Sequence, residues 1–323
     1  MEIKRNKIKL WSKLGSRAVF GMVLTELAKE RDDFFVLTGD LCQSSGLARF
    51  AQDYPQRLIN MGIAEQNMIG VAGGMAKDGT TVFATSFSPF VTMRACEQVR
   101  MNMGYMQLNI KTVGLGAGLI MSQLGNSHYG IEDVAIMRCI PGITVVSPAD
   151  CAEIVKSVEA VLDYKGPVYI RLTGGTGNPT VYADDYEFSI GKANILREGK
   201  DIAIISSGTM VYQSLKAAEM LMDSGIDSAV VNMHTIKPID KCCIDSLVDH
   251  KLIVTVEEHS VIGGLGSAVA EYLAAKPKKP LQIIIGIEDM FPKAGSYDYL
   301  LKQCGLTGEQ IANRIMKVVE SKN

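Results

Sequence analysis

Hydrophobic and polar residues fall into repeating blocks along this chain. Over 16–31 the apolar positions Val19, Phe20, Val23, Leu24 and Leu27 recur at helical spacing. FFVLTGD at 34–40 is a short apolar run that stops at Gly39 and Asp40, and LINMG at 58–62 is another. The pattern then predicts a helix over 65–77, a strand over 81–85 and an amphipathic segment over 89–103. A strand at 110–115 precedes the glycine-rich stretch GLGAGLIMSQLGNSHYG. A helix at 130–139, a strand at 143–146, a helix at 150–162 and a strand at 168–171 follow. Residues 174–189 show no periodicity and read as a linker. The rhythm restarts with strands at 201–206, 228–233, 252–257 and 281–285, and helices at 209–224, 262–275 and 307–321.

Strands alternating with helices predict an α/β fold. Two domains are expected, 1–182 and 183–323, each a mostly parallel sheet flanked by helices. Such sheets bind ligands at the carboxyl ends of their strands. Asp40, Glu65 and Phe87 all fall at those ends.

Composition narrows the function. A hydrophobic share of 47% with 21% charged residues is that of a folded globular chain. The net charge of -2, from 33 basic and 35 acidic residues, offers no excess to neutralise a phosphate backbone, so no nucleic-acid partner is expected. No apolar run is long enough to cross a bilayer, so no membrane association is expected either. The opening MEIKRNKIKLW is too poor in apolar residues for a secretory signal and reads as a polar arm. Seven cysteines without a CxxC spacing fit reduced thiols in a cytoplasmic protein. Four histidines, none at a ligand spacing, predict no metal site on this chain.

Several residues carry candidate chemistry. GVAGGMA (70–76) and GGLGSA (263–268) do not fit a dinucleotide-binding turn. Gly70, Gly73 and Gly74 read instead as small residues that let a helix pack closely. Glu65, in MGIAEQN, has mostly apolar neighbours. It is either a desolvated acid with a raised pKa, able to share a proton, or an acid favoured by a helix N-terminus. Phe83, Phe87 and Phe90 form either a stacking surface for a flat ring or ordinary core. His128 sits in a glycine-rich loop, as a ligand donor or simply in solvent. His259, beside Glu257 and Glu258, reads chiefly as part of a solvated loop.

Taken together, GDL (39–41), NMGIAEQNMIGVAGGMA (60–76), FATSFSPFVTMRACEQVR (83–100) and GNSHYGIEDVAIMR (125–138) resemble the pyrimidine-binding domain of transketolases. VSPAD (146–150), NMHTIKPID (232–240) and VEEHSVIGGLGSAVAE (256–271) extend the resemblance through the C-terminal domain. The last two segments are most similar to the C-terminal section of a split, two-subunit transketolase.

The resemblance implies thiamine diphosphate as cofactor. It places Glu65 on N1′ of the aminopyrimidine as a catalytic residue, with Phe90 stacked on that ring and Phe87 beside it. Asp40 should face the cofactor. His128 should lie near the thiazolium and the substrate hydroxyls, as a catalytic and substrate-binding residue. Arg17 and Ser44 match positions that hold a sugar phosphate, and Arg171 is a further candidate for an anionic substrate. Met93 stands where transketolases often have tyrosine. Leu124 and Ser147 stand where sugar-phosphate transketolases often carry aspartate and arginine.

The GDG motif of the diphosphate-binding domain is missing. The resemblance therefore implies a separate N-terminal subunit that carries that domain with its Mg²⁺ or Ca²⁺. The expected assembly is a heterotetramer with two copies of each chain. The C-terminal domain is expected to act as scaffold and dimer contact. The implied reaction is transfer of a two-carbon ketol unit from a ketose to an aldose, phosphorylated or not. Two alternatives stay open. One is a subunit of a related thiamine-diphosphate enzyme acting on a 2-oxo acid, similar to deoxyxylulose-phosphate synthase or a dehydrogenase beta subunit. The other is a non-catalytic partner.

Overall fold

A computed structural model describes residues 3–321. Two sheets form the framework. The first takes β1 (Phe34–Thr38), β2 (Leu58–Asn60), β3 (Thr81–Phe87), β4 (Ile110–Leu115), β5 (Thr144–Val146) and β6 (Val168–Leu172). The second takes β7 (Asn194–Arg197), β8 (Ile202–Ser206) and β9 (Ser228–Asn232). The chain then returns to the first sheet with β10 (Thr235–Lys237). β11 (Leu252–Ser260) and β12 (Leu281–Ile287) complete the second. The strand orders are β10-β5-β6-β4-β3-β1-β2 and β12-β11-β8-β9-β7. Every pairing is parallel except those of the edge strands β10 and β7, which run antiparallel. β3, β4, β6 and β8 are buried along their whole length, which is why they read as largely apolar runs rather than alternating ones.

The expected α/β plan of two mostly parallel, helix-flanked sheets is thus present. The expected strand ends are mostly within two residues of the observed ones. Several elements escaped the sequence pattern, among them the helix Ala48–Asp53. The expected polar arm contains the helix Arg5–Leu14. Its buried stripe is only Ile8 and Trp11, too narrow to stand out among the lysines. β7, the short helix Lys241–Ser246 and the helix Tyr297–Gln303 were also unmarked.

β10 matters more than these. The sequence assigns it to the second domain, yet Thr235 pairs with Val146, and His234 O accepts from Ser147 N at 2.7 Å. The second half of the chain is therefore hydrogen-bonded into the first sheet. The 174–189 stretch holds no helix or strand, as expected. It is nonetheless packed: Tyr182 and Tyr186 stack with ring centroids 3.8 Å apart.

Glycine spacing on the helix Glu65–Lys77 was only partly structural. A Cβ on Gly73 would lie 2.1 Å from Asn102 Oδ1, whereas Gly70 and Gly74 face open space. The close approach thus needs one glycine of the three.

Candidate active site

The carboxyl ends of β1, β2 and β3 converge on Glu65. β2 is followed by a turn through Gly62, and Glu65 then opens its helix. Its side chain is 1% exposed. Oε1 accepts from Ser86 Oγ at 2.8 Å, near the end of β3, and Oε2 accepts from Arg94 Nη1 at 2.8 Å. Burial pushes the carboxyl pKa up, but Arg94, Ser86 and the helix amide outweigh it and hold the group below the usual carboxylate range. Of the two sequence readings, the raised pKa is corrected in direction, and the acid at a helix N-terminus fits the lowered one. The shielding is present, but a cation offsets it.

Arg94 owes its position to an irregular helix. The expected amphipathic segment over 89–103 forms wide π-helical turns, Phe90–Arg94 and Arg100–Tyr105, around a short α segment, Cys96–Val99. The first of these turns carries both Phe90 and Arg94, and the Arg94 guanidinium lies over the Phe90 ring, 4.0 Å from its centroid. Phe87 and Phe90 meet edge to face at 6.0 Å, and His128 meets both, at 5.8 and 5.3 Å. Residues far apart in sequence thus form one contiguous group: Glu65, Arg94, Phe90, Phe87 and His128. Phe83 does not join it. It packs on Phe20 and Phe34 in the core.

The end of β1 borders the same group. A Cβ on Gly39 would lie 3.3 Å from Ser86 Oγ and 3.4 Å from Glu65 Oε1. Asp40 follows with φ 61°, a left-handed conformation that aspartate tolerates better than most residues. Its Oδ1 accepts from Asn60 Nδ2 at 2.8 Å. Beside Phe90 and Arg94 a cleft of about 390 Å³ opens, lined also by Met93, Ser127 and Phe291. Two of its lining residues are exposed apolar side chains, Met93 and Phe291, at 49% and 68% exposure. His128 Nδ1 lies 2.9 Å from Ser127 Oγ.

Three sequence candidates lie elsewhere. Arg17 lines a different cleft of about 500 Å³, with Thr176, Gln213 and Asp298. It is half-buried, which lowers its pKa. Ser44 is half-buried in the turn after β1. Arg171 is corrected outright. Its Nε donates to Asp133 Oδ1 and Oδ2 at 3.0 and 2.8 Å, and its Nη2 to the carbonyls of Gly130 and Glu258 at 3.0 and 2.8 Å. At 2% exposure it is sealed in the core and spent on protein groups. Ser147 is fully buried as well, so neither substitutes for an anion-binding arginine at the surface.

The Arg171 network also corrects His259. Far from lying in a solvated loop, His259 is fully buried on β11. Its Nε2 accepts from Ala135 N at 3.3 Å and its Nδ1 donates to Ser260 O at 2.8 Å. Next to it, Glu257 accepts the N–H groups of Leu265 and Gly266 at 2.7 and 2.8 Å, capping the helix Leu265–Ala274. Glu258 reaches across to Leu119 N at 2.6 Å and also accepts from Thr209 and Tyr297 at 2.6 and 2.7 Å. The EEH triplet is therefore a buried tie between the two halves. It also supports the loop that carries His128. Arg94 and Ser86, which hold Glu65, were not singled out in the sequence. A cation near a buried acid has no spacing signature when folding brings the two together from 29 residues apart. Among the described residues no group of three or more His, Cys, Asp or Glu side chains is placed to hold a metal ion, and no helix is long and apolar enough to cross a membrane.

Comparison with known proteins agrees with this architecture. Residues 12–177 match the family described as transketolase, pyrimidine binding domain, and residues 191–311 match transketolase, C-terminal domain. A putative transketolase C-terminal section from Methanocaldococcus jannaschii is 44% identical, over 94% of this chain and 96% of that protein. A 6-deoxy-6-sulfo-D-fructose transketolase subunit from a Clostridium species is 42% identical, over 93% of both chains. A solved structure described as a split gene transketolase, inactive beta4 tetramer, superposes with a TM-score of 0.85. It is 39% identical, covering 94% of this chain and 97% of that one. With both domains matched in order and relatives of this identity along nearly its whole length, the chain belongs to the transketolase family, as a pyrimidine-binding plus C-terminal section of the split kind.

Proposed function

We propose that this chain is the C-terminal subunit of a thiamine-diphosphate-dependent transketolase, moving a two-carbon ketol unit from a ketose to an aldose. The observation that carries the reading is the group around Glu65. A shielded carboxylate, held by Ser86 and Arg94, stands beside the Phe87–Phe90 aromatic pair and His128. Those residues suit the aminopyrimidine half of the cofactor. The carboxylate accepts a ring N–H, the phenyl rings supply a stacking surface, and Gly39 leaves room where a Cβ would crowd Glu65. When bound, thiamine diphosphate supplies the electron sink for carbon–carbon bond cleavage next to a carbonyl.

The remaining work falls to this chain's own residues. Glu65 holds the proton at the pyrimidine nitrogen. Phe90 and Phe87 orient the ring. Asp40 borders the cofactor where β1 ends. His128 donates to substrate oxygen. The exposed apolar side chains of Met93 and Phe291 at the cleft exclude water once a second chain covers them. That second chain is an N-terminal subunit carrying the diphosphate and its Mg²⁺ or Ca²⁺, in a heterotetramer, and the split organisation of the relatives supports it. Arg17 and Ser44 remain the residues proposed for the far, anionic end of the sugar. The boundary at 182/183 is proposed for the covalent order of the domains, and the cytoplasm as the location.

The test is reconstitution with an N-terminal subunit, thiamine diphosphate and Mg²⁺. Ketol transfer between a ketose and an aldose without carbon dioxide release is expected, with neither chain active alone. Carbon dioxide release from a 2-oxo acid would move the chain to the second class of enzyme. A complex that binds no thiamine diphosphate would leave only a structural partner.

A further inference from the structure

We propose that Arg94 is an occupant of the ring site: in the uncombined chain its guanidinium stands where the flat ring of the cofactor belongs, and it swings out when the ring arrives. The inference rests on the functional reading above, in which Arg94 serves only to hold Glu65, and goes beyond it by giving that residue a part in ring entry.

The Arg94 side chain makes contacts of only two kinds among the described residues. Nη1 donates to Glu65 Oε2 at 2.8 Å, and the guanidinium lies 4.0 Å over the Phe90 ring. These are the groups that would recognise an aminopyrimidine: an anionic acceptor and an aromatic face. A guanidinium resembles that ring in being planar and in carrying N–H donors at its edge. Each Glu65 oxygen accepts one bond, Oε1 from Ser86 and Oε2 from Arg94, and a carboxylate oxygen can accept a second, so the competition is for space. The guanidinium covers the Phe90 face on which an incoming ring would stack.

The position is also an easy one to leave. The Arg94 side chain is 44% exposed, while Glu65 is 1% exposed. The cleft of about 390 Å³ beside it, walled by Met93 and Phe291, gives the long side chain room to rotate without moving the backbone. A half-exposed pair of this kind is weak enough to be displaced, unlike the sealed Arg171–Asp133 pair. While it lasts, it keeps a buried carboxylate paired in a subunit that has no cofactor.

The experiment titrates thiamine diphosphate with Mg²⁺ into the reconstituted two-subunit complex by calorimetry, and follows the association rate by stopped flow. Wild type is compared with Arg94→Met and Arg94→Gln, whose folding is checked by circular dichroism. Loss of the ion pair and the cation–π contact that hold the guanidinium over the Phe90 ring should tighten binding by about tenfold and speed association. A variant complex that binds as wild type does, or more weakly, would overturn the proposal and make Arg94 a fixed support for Glu65. If the wild-type complex itself fails to bind thiamine diphosphate, the functional reading falls first and this inference with it. Binding by wild type with no gain in either variant sinks this inference alone.

Discussion

Replacing Arg171 with methionine separates a substrate contact from a structural tie. Arg171 and Asp133 are 2% and 1% exposed. Methionine keeps part of the apolar stem but leaves the Asp133 carboxylate with only the hydroxyls of Ser88, at 2.9 Å, and Tyr169, at 2.6 Å, as hydrogen-bond donors. Removing one member of a buried ion pair costs about 3–5 kcal/mol, and the two remaining hydroxyls place the expected loss near the lower end, at about 3 kcal/mol. The Gly130 and Glu258 carbonyls lose their donor too, so the loop beside His128 and its contact with β11 loosen together.

The pH response gives a second signature. In the native chain burial raises the Asp133 pKa, but the Arg171 guanidinium, helped by the Tyr169 hydroxyl, outweighs it, and the net direction is down. A depressed carboxyl contributes stability above its unfolded pKa and loses it as pH falls through the folded one. Without the arginine, burial acts with less opposition and the pKa moves up. The deficit of Arg171→Met should therefore grow from acid to neutral pH. Denaturant unfolding of wild type and variant, followed by circular dichroism at pH 5 and 7.5, measures both effects. Combining Arg171→Met with Asp133→Leu should cost less than the two single changes summed, by about 2 kcal/mol. If Arg171→Met unfolds within about 1 kcal/mol of wild type while raising KM for an anionic sugar at unchanged kcat, the tie is wrong and the substrate role returns.

The other expectations concern the site and one buried histidine. Glu65→Ala should leave the fold and the subunit complex intact by circular dichroism and gel filtration while turnover drops by orders of magnitude; near-normal turnover would remove Glu65 from the mechanism. Phe90→Ala should weaken thiamine diphosphate binding by ~1–2 kcal/mol, read as the dissociation constant, and no change would return Phe90 to the core. His234 is fully buried and stacked on Phe188 at 4.3 Å, and burial lowers its pKa to about 4. A depressed base favours folding above its unfolded pKa and opposes it as pH falls, so stability should fall between pH ~6.5 and pH ~4, by up to about 3 kcal/mol from this group. His234→Phe should flatten that fall, seen as urea midpoints at the two ends of the range, and an unchanged slope would exonerate His234.

The core elements were legible because both sheets are buried on two faces. Strands such as β4 and β6 are then mostly apolar on both faces, and the helices between them carry one apolar stripe. The Glu65 segment was legible for a related reason: an acid between an apolar strand end and a helix start has few structural roles. The helix Arg5–Leu14 and strand β10 were not, because their short apolar patterns carry little periodic signal. Arg171 was misread for a different reason. Type and position suggested an anion ligand, and nothing local reveals that Asp133, 38 residues away, neutralises it.

Order along the chain settled the alternation of strands and helices, the α/β class, and the placing of Asp40, Glu65 and Phe87 at strand ends, because periodicity and chain reversal are local properties. Tertiary structure alone decided the rest. It returned β10 to the first sheet and buried His259, Glu258 and Arg171 as a joint between the halves. It also set Arg94 between Glu65 and Phe90. Whether a charge is free or paired depends on what packing brings within about 3 Å of it, and that distance has no counterpart in residue spacing.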